Sequence, residues 1–382
     1  MLAGRGLDQR GEGWTAAIQV KSPKGSKMTN AKLFKEAARG LLMMSLLLVS
    51  CGGDPIAPPP RPHPFHAYVI NETSSDVSII STASITTPSH GMGHRIDVGF
   101  EPRGIAITPD GLFAYVTDLS RHFSGNLSVI DTSTGRVVAA IPLPLVSSAI
   151  AIAPGGDLAY AAHVGSLSVI DILTNRVIET INLGRGTVPE GITIAPGGAL
   201  AYVADLGDHP DYAGRVLAID LRTKSVVAIV AVGKRATGVA LSPDGALAYA
   251  VSEGNPPDYA GTVSVIDTRI NAVIATIVVG TDPSGVVVSG DGASVYVTNS
   301  GSDTVSVIDT SSNSVIAAVS VGKYPSGVAI TPDSAFVCVT NIYSDPPSFG
   351  EGNVKVIDTS TKSVVATIPV GWSPRAIAFS PR

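Results

Sequence analysis

The sequence predicts an all-β chain in which one four-stranded antiparallel unit is copied around a closed ring. Three observations predict it. Residues 294–319 (SVYVTNSGSDTVSVIDTSSNSVIAAV) read as three short strands, 295–297, 305–308 and 315–319, parted by small polar turn residues. The tyrosine-centred strand recurs at Tyr68, Tyr115, Tyr160, Tyr202, Tyr249 and Tyr296, and Cys338 takes the tyrosine slot in a seventh copy. The two ends of the repeated region are complementary. It starts on a tyrosine strand with no Gly-Ile-Ala-Ile-type strand before it, and finishes on such a strand, residues 374–381, with nothing after it. Four strands recurring every forty-odd residues indicate propeller blades, and the last strand is expected to complete the first blade. The predicted fold is a seven-bladed β-propeller over 66–382.

Each strand of the unit has its own signature. The first is typified by residues 104–111 (GIAITPDG) and returns at Gly191, Gly238, Gly285 and Gly327, more loosely at Ala149. Its Pro-Asp-Gly end supplies a proline-fixed turn and a permissive glycine. The second carries the tyrosine, expected to pack between sheets. The third ends in Asp131, Asp171, Asp220, Asp267, Asp309 and Asp358, with Ser81 in the first copy. These carboxylates are expected to accept N–H bonds from the turns that follow. The fourth is the outer strand, as in 364–371. Val, Ile, Ala, Gly, Ser and Thr dominate the chain, and the β-branched members suit pleated, half-buried surfaces.

The motifs Tyr296-Val297-Thr298-Asn299 and 305–310 (VSVIDT) resemble the YVTN family of β-propeller repeats over about 66–382. That resemblance implies seven blades. Related propellers include surface-layer proteins, lactonase-like enzymes and redox-enzyme subunits, so it fixes no function.

Ahead of the repeats the chain changes character. Lys32, Lys35 and Arg39 form a basic region, and residues 41–49 (LLMMSLLLV) an apolar run too short to span a bilayer. The run ends in Leu48-Val49-Ser50-Cys51, which resembles the lipobox of bacterial lipoproteins. That resemblance implies cleavage ahead of Cys51 and lipid attachment there. Residues 28–51 are therefore expected to be a signal peptide starting at Met28, and 1–27 an over-called start. Residues 52–65 are rich in proline and are expected to form an extended tether. Gly52, rather than aspartate, follows the cysteine, and by resemblance this favours the outer membrane.

Charged residues make up 15% of the 382 and the net charge is -5, which argues against a nucleic-acid partner. The two cysteines, Cys51 and Cys338, lie in very different settings, so no disulfide framework is expected. No nucleophile elbow and no haem-attachment motif are present. Asp205, Asp208 and Asp211 lack EF-hand spacing, and His90 and His94 sit in a glycine-rich loop. No catalytic set, metal or cofactor is expected, and the propeller should be monomeric.

Length variation points to a working face. The loop between second and third strands is extended in the second, fourth, fifth and seventh copies. Variable loops on a rigid scaffold are where binding normally resides. The fourth and fifth copies share Pro-Asp-Tyr-Ala-Gly, so Tyr212 and Tyr259 are candidate anchors among Asp208, Asp211 and Asp258, with Asp345 and Phe349 in the seventh. The alternative role for Tyr212, Tyr259 and Phe349 is to pin their own loops. Two function classes remain. One is a non-catalytic envelope module binding a protein or glycan. The other is a propeller enzyme, lactonase-like or a redox subunit, working at the central channel. The channel reading needs charged groups converging at one mouth, and Glu190, Arg103, Lys323 and Arg375 are the residues to place.

Overall fold

The computed structural model describes residues 65–81, 94–119, 124–343 and 351–381. The leader, Cys51 and most of the tether lie outside the described residues, as do Asp345 and Phe349. The described residues form seven four-stranded antiparallel sheets and no helix. Blade 6 shows the unit: an inner strand Pro283–Val288, a second Ser294–Asn299, a third Thr304–Asp309 and an outer Ser314–Ser320.

Neighbouring inner strands pack on one another all the way round, including Pro374–Phe379 against Phe100–Ile107, so the ring is closed. Pro374–Phe379 is the inner strand of blade 1. It ladders onto His66–Asn71, from Ala67 opposite Phe379 to Asn71 opposite Pro374. Phe65 is buried beside this seam, its ring edge-on to Phe379 at 5.8 Å between centroids.

Burial follows from stacking. Each sheet lies between two others, so second and third strands are covered on both faces and are buried along nearly their whole length. Outer strands have one covered face and alternate, as in Ser225–Ala231. Tyr115, Tyr202, Tyr249 and Tyr296 are fully buried between sheets. The Tyr115 hydroxyl donates to Asn175 Oδ1 of the next blade at 2.8 Å, and burial pushes its pKa up to about 12. Cys338, in the seventh slot, is likewise buried.

The expected turn chemistry is present. Asp309 Oδ1 accepts the Ser312 N–H at 2.8 Å and the Ser311 and Ser312 hydroxyls. Those bonds, led by Ser311, hold its pKa at about 2. The Thr-Asn pair of the motif is structural too. Thr298 Oγ1 accepts the Gly285 N–H at 2.8 Å, and Thr117 and Thr340 do the same for Gly104 and Gly327. Asn299, buried, donates to the Thr304 and Ser306 hydroxyls and so ties its strand to the third.

Candidate functional site

Every inner strand carries a β-bulge near its first residues. A bulge leaves one residue unpaired and re-aims its side chain. The positions left outside the ladder include Arg103, Ser148, Glu190 and Thr237 in blades 2 to 5, Ser284 and Ser326 in blades 6 and 7, and Arg375 in blade 1. All seven line one cavity of about 390 Å³ at the mouth of the central channel.

Glycine follows the bulged residue in five blades because adjacent inner strands nearly touch there. A Cβ on Gly327 would lie 2.5 Å from the Arg375 carbonyl oxygen. The hydroxyls of the ring stitch neighbouring blades together: Ser284 Oγ donates to the Ser326 carbonyl and Ser326 Oγ to that of Arg375, both at 3.2 Å. The charged members are therefore the ones left for other work.

Those charges fall into two groups. On the blade 1–2 side, Arg375 Nε donates to Glu72 Oε2 at 2.6 Å. Arg103 makes only loose ion pairs, 4.0 Å to Glu72 and 3.8 Å to the exposed Glu101. On the blade 4–5 side, Arg235 Nε donates to Glu253 Oε2 at 2.5 Å. Glu190 stands beside them, two blades round from Arg103 and three from Arg375. Burial raises its pKa, the Arg103 and Arg375 charges oppose that shift, and Glu253 adds to it. Burial likewise raises the pKa of Glu253.

The backbone is tightly turned at this rim, as it is on the opposite face, where Asn175, Lys224, Asn271, Asn313 and Lys362 also have positive φ. Glu101, Arg235, Asp282, Tyr324 and Ser373, each two residues before a bulged position, have φ between 45° and 58°. Non-glycine residues in the left-handed region concentrate at tight turns and ligand-binding rims.

The extended loops of blades 4 and 5 open on this face, because each links the end of a second strand to the start of a third, beside the inner-strand starts. The fourth-blade loop is moored at its root by Asp205. This buried carboxylate accepts the Val188 and Gly207 N–H groups at 2.7 and 3.1 Å, and Arg215 Nε at 2.8 Å. Tyr212 is half-buried. The Arg235 guanidinium lies 5.0 Å from its ring centroid, and the His209 ring meets it edge-on at 5.6 Å. The Arg235 N–H bonds the Tyr212 carbonyl, and the Asp282 N–H bonds that of Tyr259. Both loops are thus latched to the next blade through the strained residue before its inner strand. Tyr259 keeps 36% of its surface exposed, and Asp208, Asp211 and Asp258 are exposed.

Of the four charges to be placed, Glu190, Arg103 and Arg375 converge at the mouth. Lys323 does not, being exposed and paired with Asp303 at 2.5 Å. Glu72, Glu253 and Arg235 had no sequence signal of their own. Glu72 and Glu253 follow the buried second-strand terminal residue, a position filled by Leu206, Ser300 and Ile342 in other blades. Among the described residues no group of three His, Cys, Asp or Glu side chains is placed to hold a metal ion.

No family model matches the chain. A seven-bladed β-propeller protein of Mycobacterium tuberculosis is 29% identical over 93 residues, a match spanning 24% of each chain. Among solved structures, a chain of hydrazine synthase from Kuenenia stuttgartiensis superposes with a TM-score of 0.68 at 20% identity, covering 81% of this chain and 99% of that one. A functionally unknown protein from Desulfotomaculum acetoxidans gives 0.64 at 20% identity, with 82% and 98% covered. At that identity the likeness is one of fold: the chain is a seven-bladed β-propeller.

Proposed function

We propose that the chain is a cell-envelope lipoprotein, anchored through Cys51 at the outer membrane, whose propeller is a non-catalytic module binding a protein or glycan. One observation carries the binding half of this reading: the inserted loops and the charged channel mouth share one face. The opposite face presents short, closely similar turns whose aspartates are already engaged, as Asp110 is with Thr108 Oγ1 at 2.6 Å and Asp244 with Ser242 Oγ at 2.6 Å. Tyr259 with Asp208, Asp211 and Asp258 makes an acidic, aromatic rim, suited to a cationic protein surface or a glycan. The anchor half rests on the basic region, apolar run and Cys51 in the sequence.

Tyr259→Ala should reduce capture of envelope components by the immobilised chain at least tenfold. An Asp110→Ala/Asp244→Ala control on the far face should leave capture unchanged. Equal capture by both variants would overturn the face assignment, and palmitate labelling that persists in Cys51→Ala would overturn the anchor. A propeller enzyme acting at the channel mouth is the second reading. Glu190, a part-buried carboxyl with a raised pKa, is the observation that favours it. Its signature would be turnover lost on Glu190→Gln.

A further inference from the structure

The channel-mouth cavity holds two charged groups of opposite sign, Arg103 and Glu190, that make no hydrogen bond among the described residues. Arg375 is bonded to Glu72, and Arg235 to Glu253. Arg103 has ion pairs at 3.8 and 4.0 Å but, among the described residues, no hydrogen-bond acceptor. Its guanidinium presents planar N–H donors matched to a carboxylate. Glu190 is influenced by burial and by the Arg103, Glu253, Arg375 and Arg235 charges, and no described residue donates a hydrogen bond to it. A part-buried carboxylate without protein donors favours a ligand that brings them. Ser148, the bulged residue of the intervening blade, lines the same cavity.

The cavity volume, about 390 Å³, is in the range of small-ligand sites. A purely anionic ligand would meet Glu190, Glu253 and Glu72. A purely cationic one would meet the guanidiniums of Arg103 and Arg375. A molecule with both charges satisfies Arg103 and Glu190 together and adds no net charge to the mouth. We infer that the channel mouth binds a small zwitterion, with the ligand's carboxylate on Arg103 and its ammonium on Glu190. This goes beyond the docking face and does not need a macromolecular partner.

The test uses the full chain in detergent and calorimetric titration at neutral pH. The probes are alanine, dialanine and trialanine, whose charged ends lie progressively further apart, each also in N-acetylated and C-amidated form. At least one free-ended probe should bind, and either cap should weaken it tenfold or more. Glu190→Gln should lose the same tenfold and become indifferent to N-acetylation. Arg103→Gln should become indifferent to amidation. The inference is overturned if no free-ended probe binds the unaltered chain, or if capped and free probes bind alike. It is also overturned if a variant that melts like the parent keeps its discrimination between them. Zwitterion binding that survives Tyr259→Ala, with capture of envelope components lost, separates this site from the loop face. Capture without zwitterion binding would sink this inference alone.

Discussion

At the scale of single residues, the propeller repeats one solution and departs from it where charge enters the channel. Thr298 and Gly285 show the rule: a hydroxyl satisfies the N–H that the bulge frees, and the absent Cβ lets the next strand approach. Glu190 shows the departure. Its folded-state pKa is raised above the ordinary 4.5, chiefly by burial. The native state therefore holds this proton to higher pH than the unfolded chain does. Stability from this group is present below 4.5 and is lost as pH rises through the raised value. Glu190→Gln removes that slope. The melting temperature of the variant minus that of the parent should grow more positive from pH 4.5 to pH 7.5. Calorimetric scans across that range check it, and a flat or falling difference would contradict it.

At the scale of elements, the second-to-third-strand loop is the part free to vary, and its root shows how variation is tolerated. Buried Asp205 replaces the asparagine that blades 1, 6 and 7 carry at the same position, Asn71, Asn299 and Asn341. Its two oxygens accept from two backbone N–H groups and from Arg215, so the longer loop leaves a fixed base. Asp205→Ala should cost about 1–3 kcal/mol, because it orphans those donors. Denaturant unfolding reads the loss, and limited proteolysis should show new cleavage within 206–214. An unchanged midpoint with intact loop protection would mean the loop is held by the Tyr212–Arg235 contact instead.

At the scale of the whole molecule, closure decides stability. Pro374–Phe379 is the only inner strand contributed from the far end of the chain, and it packs between the inner strands of blades 2 and 7. Removing 374–382 strips that ladder from His66–Asn71 and uncovers Ile70, Val69 and Ala67 along an open edge. A folded domain holds about 5–15 kcal/mol in all, so the expected outcome is loss of the cooperative transition and aggregation. Removing 52–60 should leave the melt unchanged. A C-terminal truncation that melts like the parent would mean the ring does not depend on this seam.

By itself the sequence determined the number of blades, their four strands and the closing strand. Each is written in local periodicity: a tyrosine slot, a terminal aspartate and a Pro-Asp-Gly turn, repeated until chance has no part. It also placed Glu190, Arg103 and Arg375 beside inner-strand starts. Only the tertiary structure decided which charges meet. Arg103 and Arg375 lie at opposite ends of the chain yet sit on adjacent blades because the ring closes between them. Lys323, similarly placed in sequence, pairs with Asp303 and does not line the cavity. Glu72, Glu253 and Arg235 occupy positions that other blades fill with unrelated residues, so no repeat signal marks them. Their roles arise from the bulges and the circular order of the sheets, which bring seven distant segments to one mouth.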